Sequence, residues 1–110
     1  MLTTGKATKV TVYLSDGARH KGSPVYINVL DYLYKNGIAG ATVLKGVAGF
    51  GAGHHIHTAH ILELSDRLPI RIEFIDTAEK VQAVLPDLQG KCGCGLIEIQ
   101  ETNILVVPRS

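Results

Sequence analysis

Pro69-Ile70-Arg71-Ile72-Glu73-Phe74-Ile75 is followed at once by Asp76-Thr77. Ile70, Ile72 and Phe74 alternate with Arg71 and Glu73, a period of two that puts apolar side chains on one side of an extended strand. Asp76 or Thr77 then offers the short oxygen-bearing side chain that accepts the first free N–H groups of a helix. Behind them Val81, Val84, Leu85 and Leu88 recur at helical spacing, and Pro86 is expected to end or bend that helix near its last turn. A strand passed directly to a capped helix is half of a fold, and the flanks supply the rest.

Upstream, Ala41 to Val47 reads as a mostly apolar strand. Before it, Ser23-Pro24 has the form of a helix start, with serine as N-cap and proline at the first helical position. Val25, Val29, Leu30 and Leu33 lie on one stripe of that helix, and Asn36-Gly37 supplies its stop. Thr8 to Leu14 is another period-two strand, with Val10, Val12 and Leu14 on one side and Thr11 and Tyr13 on the other. Downstream, Gly90 to Gly95 reads as a loop, and Leu96 to Val107 as a closing strand with Ile97 and Ile99 facing inward.

The order is βαββαβ. This predicts an α+β, ferredoxin-like fold: one four-stranded antiparallel sheet with both helices on one face. The other face then needs a partner, since Leu44 and part of Ile104 to Val107 would lie there. A closed cyclic oligomer would bury it most simply.

Composition agrees with a single domain spanning 1–110. Hydrophobic residues make up 45% and charged residues 19%, as in globular chains and unlike disordered ones. A formal charge of +1 gives no electrostatic case for nucleic acid or an anionic membrane. No apolar run approaches the roughly 20 residues that cross a bilayer, and Met1 to Lys9 lacks the apolar centre of a signal peptide. A cytoplasmic protein is the plain expectation.

Three motifs carry candidate chemistry. The connection from Gly49 to Ser65 is too long for a tight hairpin, and loops of that length are usually functional or mobile. It contains His54, His55, His57 and His60. In an extended backbone His55 and His57 would share a face, a spacing that can bind zinc, copper or nickel. The competing readings are a solvated polar loop in which only His57 holds the backbone, and a pH-responsive group with an unperturbed pKa of about 6.5. Cys92-Gly93-Cys94 is the second motif. One intervening residue would strain an internal disulfide, so the pair is either packed in a turn or a redox-sensitive thiol pair. The third is the Asp16, Arg19, His20 and Lys21 group, which reads as a solvated loop. Enzyme signatures are lacking: Gly46 to Gly53 has no lysine and hydroxyl ending of a phosphate-binding P-loop, and Glu63, Glu73 and Glu98 read as outward strand positions. No enzyme is expected.

Gly37-Ile38-Ala39-Gly40-Ala41-Thr42-Val43, followed by Gly49-Phe50-Gly51, resembles the strand and T-loop entry of the PII signal-transduction superfamily. With Ile56-His57-Thr58-Ala59 and Leu68-Pro69-Ile70, the pattern is similar to the small PII-like branch and covers nearly the whole chain. The resemblance implies a homotrimer that binds an adenine nucleotide (AMP, ADP or ATP) in clefts between subunits. Its T-loop, about 49–65 here, would report the ligand to a target such as a transporter or metabolic enzyme. Some relatives are tied to inorganic-carbon uptake, with bicarbonate as effector.

Position by position, the resemblance puts Thr42 near the adenine and Gly49, Phe50 and Gly51 at the T-loop base. The phosphate-gripping B-loop becomes Gly90, Lys91, Cys92, Gly93, Cys94 and Gly95, and Arg109 reaches phosphate from the last strand. Exposed amides of Gly93 and Gly95 and the Lys91 cation would suit that role. The departures are equally informative. Leu96 stands where a lysine follows the B-loop glycines, and Val107 replaces one of two terminal arginines. A charge-assisted bond is worth about 1.5–3 kcal/mol, so AMP or ADP becomes at least as good a ligand as ATP. Ala52 replaces the glutamine used for magnesium and 2-oxoglutarate, which weakens any nitrogen-sensing role. The rival architecture is a divalent-metal-binding trimer using the histidines.

Overall fold

The computed structural model describes residues 2–15, 17, 19–50, 68–93 and 95–109, and the backbone of 57–58. The elements run β1 (Gly5–Ser15), β2 (Arg19–His20), β3 (Ser23–Pro24), α1 (Val25–Lys35), β4 (Ala41–Lys45), β5 (Ala48–Gly49), β6 (His57–Thr58), β7 (Pro69–Asp76), α2 (Ala78–Lys91) and β8 (Leu96–Ile104). Without the four two-residue strands the order is the expected βαββαβ. The main sheet is antiparallel, in the order β4-β7-β1-β8.

Register shows why the alternation matters. Val10 faces Phe74, Val12 faces Ile72 and Leu14 faces Ile70 across the β1–β7 ladder. All six are buried with Val25, Val29 and Leu33 of α1 and Val81, Val84 and Leu88 of α2. The intervening residues, among them Tyr13, Arg71 and Leu44, form the opposite face. Leu44 is 41% exposed and Tyr13 40%, so the open face expected from two helices is present.

Local chemistry explains each helix end. Thr77 caps α2 by accepting the Lys80 N–H on Oγ1 at 3.3 Å. Helix α1 stops in a Schellman turn: the Ile38 N–H bonds the Leu33 carbonyl, the Gly37 N–H bonds that of Tyr34, and Gly37 has φ +75°.

The closing strand ends at Ile104, not Val107, and further expectations need correction. Ser23 does not cap α1, because Lys21 and Gly22, both at positive φ, form a tight turn that pairs Ser23 with His20 and Pro24 with Arg19. Pro24 is therefore the extended N-cap residue and the helix begins at Val25. Of the two outcomes expected at Pro86, an end or a bend, the first does not occur: α2 continues to Lys91. Gln82, whose carbonyl loses its partner at Pro86, is exposed to water, while Val84 and Leu88 stay in the core. Strand β4 ends at Lys45, not Val47: Gly46 still bonds across to Pro69, and the chain bends at Val47. Ile99 lies opposite Val10 on the helix side yet is 52% exposed. It belongs to edge strand β8, while the helices lie over β1, β4 and β7.

Candidate functional site

Thr42 lies on edge strand β4, opposite Glu73 of β7, on the open face. It lines a cleft of about 500 Å³ together with Lys9 from β1, Gly40 and Glu73. Thus three strands that are distant in sequence place a hydroxyl, an ammonium and a carboxylate around one recess. Glu73 also accepts an ion pair from Arg71 Nε at 2.9 Å. A second cleft, of about 530 Å³, opens on the helix side of the same strand start, between α1 and Ile38–Ala41. Its walls are mainly apolar, from Ile27, Leu30, Tyr34 and Ile38.

The entry to the long connection is built on Pro69. The Gly46 N–H donates to the Pro69 carbonyl at 2.8 Å. A Cβ on Gly46 would meet Pro69 Cγ at 2.7 Å, and one on Gly49 would meet it at 3.1 Å. A side chain at Gly46 would therefore force Pro69 to shift, while one at Gly49 would be a tight fit against the same ring. Ala48 then pairs with Thr58 and Gly49 with His57, forming an antiparallel neck at the base of the connection. Phe50 is 66% exposed just beyond that neck. Gly51, His54, His55 and His60 lie outside the described residues, as does the His57 side chain. Among the described residues, no three His, Cys, Asp or Glu side chains gather as a metal set would require.

The expected B-loop is shorter than its glycines suggest. Gly90 and Lys91 belong to α2, which leaves Cys92 to Gly95 as the turn. Lys91 Nζ sits 5.1 Å from the centre of the Tyr32 ring, and the Tyr32 hydroxyl donates to the Val84 carbonyl at 3.2 Å. The Gly95 amide is committed too: it donates to the Cys92 carbonyl at 3.0 Å. Gly95 is a packing requirement, since a Cβ would lie 2.7 Å from the Tyr13 carbonyl oxygen and 2.7 Å from Leu14 Cδ2. Gly93, at φ +59° with nothing near its missing side chain, is the glycine of this turn that faces open space. Cys92 is buried, and that burial pushes its thiol pKa up, away from the thiolate that redox chemistry needs. Cys94 lies outside the described residues.

Arg109 is not brought to this turn within one chain. Leu96, directly after the turn, pairs with Tyr13, while Ile104 pairs with Gly5 at the other end of the sheet. The tail continues away, with the Val106 N–H donating to Thr4 Oγ1 at 3.0 Å. The resemblance singles out Thr42, which lines this cleft; it names neither Lys9 nor Glu73, which line it too. Alternation marks Glu73 as outward but does not say that it lies opposite Thr42.

A family model described as "DUF190: Uncharacterized ACR, COG1993" matches residues 7–104. A UPF0166 protein of Methanocaldococcus jannaschii is 37% identical over 83 residues, 76% of each chain. One from Aquifex aeolicus is 29% identical over 100 residues, 91% of this chain and 94% of the relative. Among solved structures, CPII of Thiomonas intermedia K12, a nitrogen regulatory PII-like protein bound to ADP, AMP and bicarbonate, superposes with a TM-score of 0.68 at 21% identity. That alignment covers 90% of this chain and 88% of CPII. A Thermus thermophilus protein described as a putative PII-like signaling protein gives a TM-score of 0.66 at 14% identity, covering 94% of each chain. No described helix is long and apolar enough to cross a membrane. With its sequence matched over residues 7–104 and its sheet and helices arranged as in PII-like proteins, the chain belongs to the DUF190 (UPF0166) family.

Proposed function

We propose that this chain is a PII-like regulatory protein that binds an adenine nucleotide in clefts between copies of itself and signals through the 49–65 connection. The observation that carries the reading is the Thr42 cleft at the free β4 edge, combined with the separation of Arg109 from the Cys92–Gly95 turn. Residues from opposite ends of the sheet can meet at one ligand only if two copies contribute. A homotrimer closed over the open face would provide three such places and cover Leu44 and Tyr13.

AMP and ADP suit this protein better than ATP. Lys91 is held over Tyr32, the Gly95 amide is used within its turn, and Leu96 follows the turn where a cation would serve a polyphosphate. The fold shared with CPII, seen with ADP, AMP and bicarbonate, supports adenylates as ligands and bicarbonate as a second effector. Nucleotide occupancy would bias the connection beyond the Gly49–His57 neck toward one state, and so alter affinity for a transporter or metabolic enzyme in inorganic-carbon uptake.

Titration calorimetry with AMP, ADP, ATP and zinc, with light scattering on the same sample, tests this directly. A trimer that takes up AMP or ADP more tightly than ATP is expected. Thr42→Val should weaken adenylate binding about fivefold, the value of one net hydrogen bond of about 1 kcal/mol, with an unchanged melting curve. A monomer, or no heat from any adenylate at millimolar concentration, rejects the proposal. Zinc heat alone, lost in His55→Ala with His57→Ala, would replace it with the metal-binding reading.

A further inference from the structure

Both clefts share the wall Ala39-Gly40-Ala41, the segment that leads from the end of α1 into Thr42. Before Ala41 no secondary structure holds this segment, so its position depends on what its backbone groups bond to. The Ala39 N–H donates to Asp76 Oδ2 at 2.8 Å, and Asp76 Oδ1 accepts the Thr77 N–H at 2.7 Å. Asp76 is only 1% exposed. Just upstream, Lys80 Nζ donates to the Gly37 carbonyl at 2.7 Å. Helix α2 does not need Asp76 for its cap, because Thr77 Oγ1 already serves the Lys80 N–H. The carboxylate at the end of β7 is thus free to reach across to the cleft wall.

We infer that Asp76, assisted by Lys80, is the positioning residue of the Thr42 cleft; this rests on the nucleotide reading above. Two N–H donors converge on two separate carboxylate oxygens. No neutral side chain of this size offers two acceptors, because asparagine turns one of them into an NH₂ donor. If asparagine keeps the adjacent Thr77 contact, its NH₂ faces the Ala39 N–H and pushes the wall away. A wall pushed away loses its contacts with the ligand, and each net hydrogen bond lost weakens binding about fivefold.

The experiment is AMP calorimetry on the full chain with Asp76→Asn, Lys80→Met and Lys35→Ala, with thermal melting and amide hydrogen exchange at Ala39. Asp76→Asn should raise the AMP Kd about fivefold and accelerate Ala39 exchange while still melting cooperatively. Lys80→Met, which loses a more exposed contact, should raise Kd about threefold. Lys35→Ala removes a surface cation paired with Asp31 and should leave AMP binding unchanged. Asp76→Asn with wild-type AMP affinity despite faster Ala39 exchange overturns the inference. If Asp76→Asn does not fold, wild-type affinity in Lys80→Met overturns it instead. Absence of AMP heat from the wild type would reject the nucleotide reading and this role together, whereas wild-type heat with unmoved variants rejects this role alone.

Discussion

The two faces of the main sheet are made by the same strands and behave in opposite ways. On the helix side, Val10, Val12 and Ile72 are each 0% exposed and lie within the apolar core. On the open side, one residue along, Tyr13 donates to Glu98 Oε1 at 3.1 Å and Arg71 pairs with Glu73, beside half-exposed Leu44. The first face specifies a monomer that folds. The second mixes charged and half-exposed apolar side chains, the character on which the proposed association rests. On that proposal, fold and assembly are written on alternate residues, and mutations should separate them.

The largest effect should come from the covered face. Ile72→Ala removes a fully buried side chain between Val12 and Val43 in the ladder, and is expected to cost about 4 kcal/mol in urea unfolding. On the open face, Leu44→Glu places a carboxylate opposite Arg71. It should leave stability of the isolated chain within about 0.5 kcal/mol while light scattering shows the oligomer dissociating. If it unfolds the chain instead, the two faces are not separable. The smallest effect is a titration. Tyr13 has a raised phenol pKa, first because its hydrogen bond to Glu98 favours the neutral form, then through desolvation, with Arg71 opposing. Glu98→Gln should therefore let Tyr13 ionise at a lower pH, followed by NMR, while the helix-side core remains unchanged.

How far the sequence could be read follows the same division. Strand β7 and helix α2 were legible because each residue decides locally: apolar alternation, then the Thr77 oxygen at the cap. The start of α1 was not, because Lys21-Gly22 forms a turn whose pairing uses Ser23 and Pro24 as strand residues before the helix begins. Gly90 and Lys91 looked like loop because glycine is a poor helix former, yet the packing of Leu88 and Cys92 carries α2 through them. Ile99 obeyed its alternation but lay beyond the reach of the helices. The candidate site was the hardest part. Lys9, Thr42 and Glu73 come together only through the pairing of three strands, and periodicity says which side a residue faces without saying who its neighbours are. Of the two caps that the sequence offers, Thr77 serves as one, while Asp76 bonds the Thr77 N–H and reaches Ala39, 37 residues away.

The bond from the Val106 amide to the Thr4 hydroxyl has a practical consequence. It fixes the stretches around positions 4 and 106 side by side, at the end of the sheet remote from Pro69 and the neck of the long connection. A dye or surface tether attached at either position would leave that neck unobstructed. Energy transfer from such a dye to one placed at Phe50 would report the spacing between the neck and the far end of the strands.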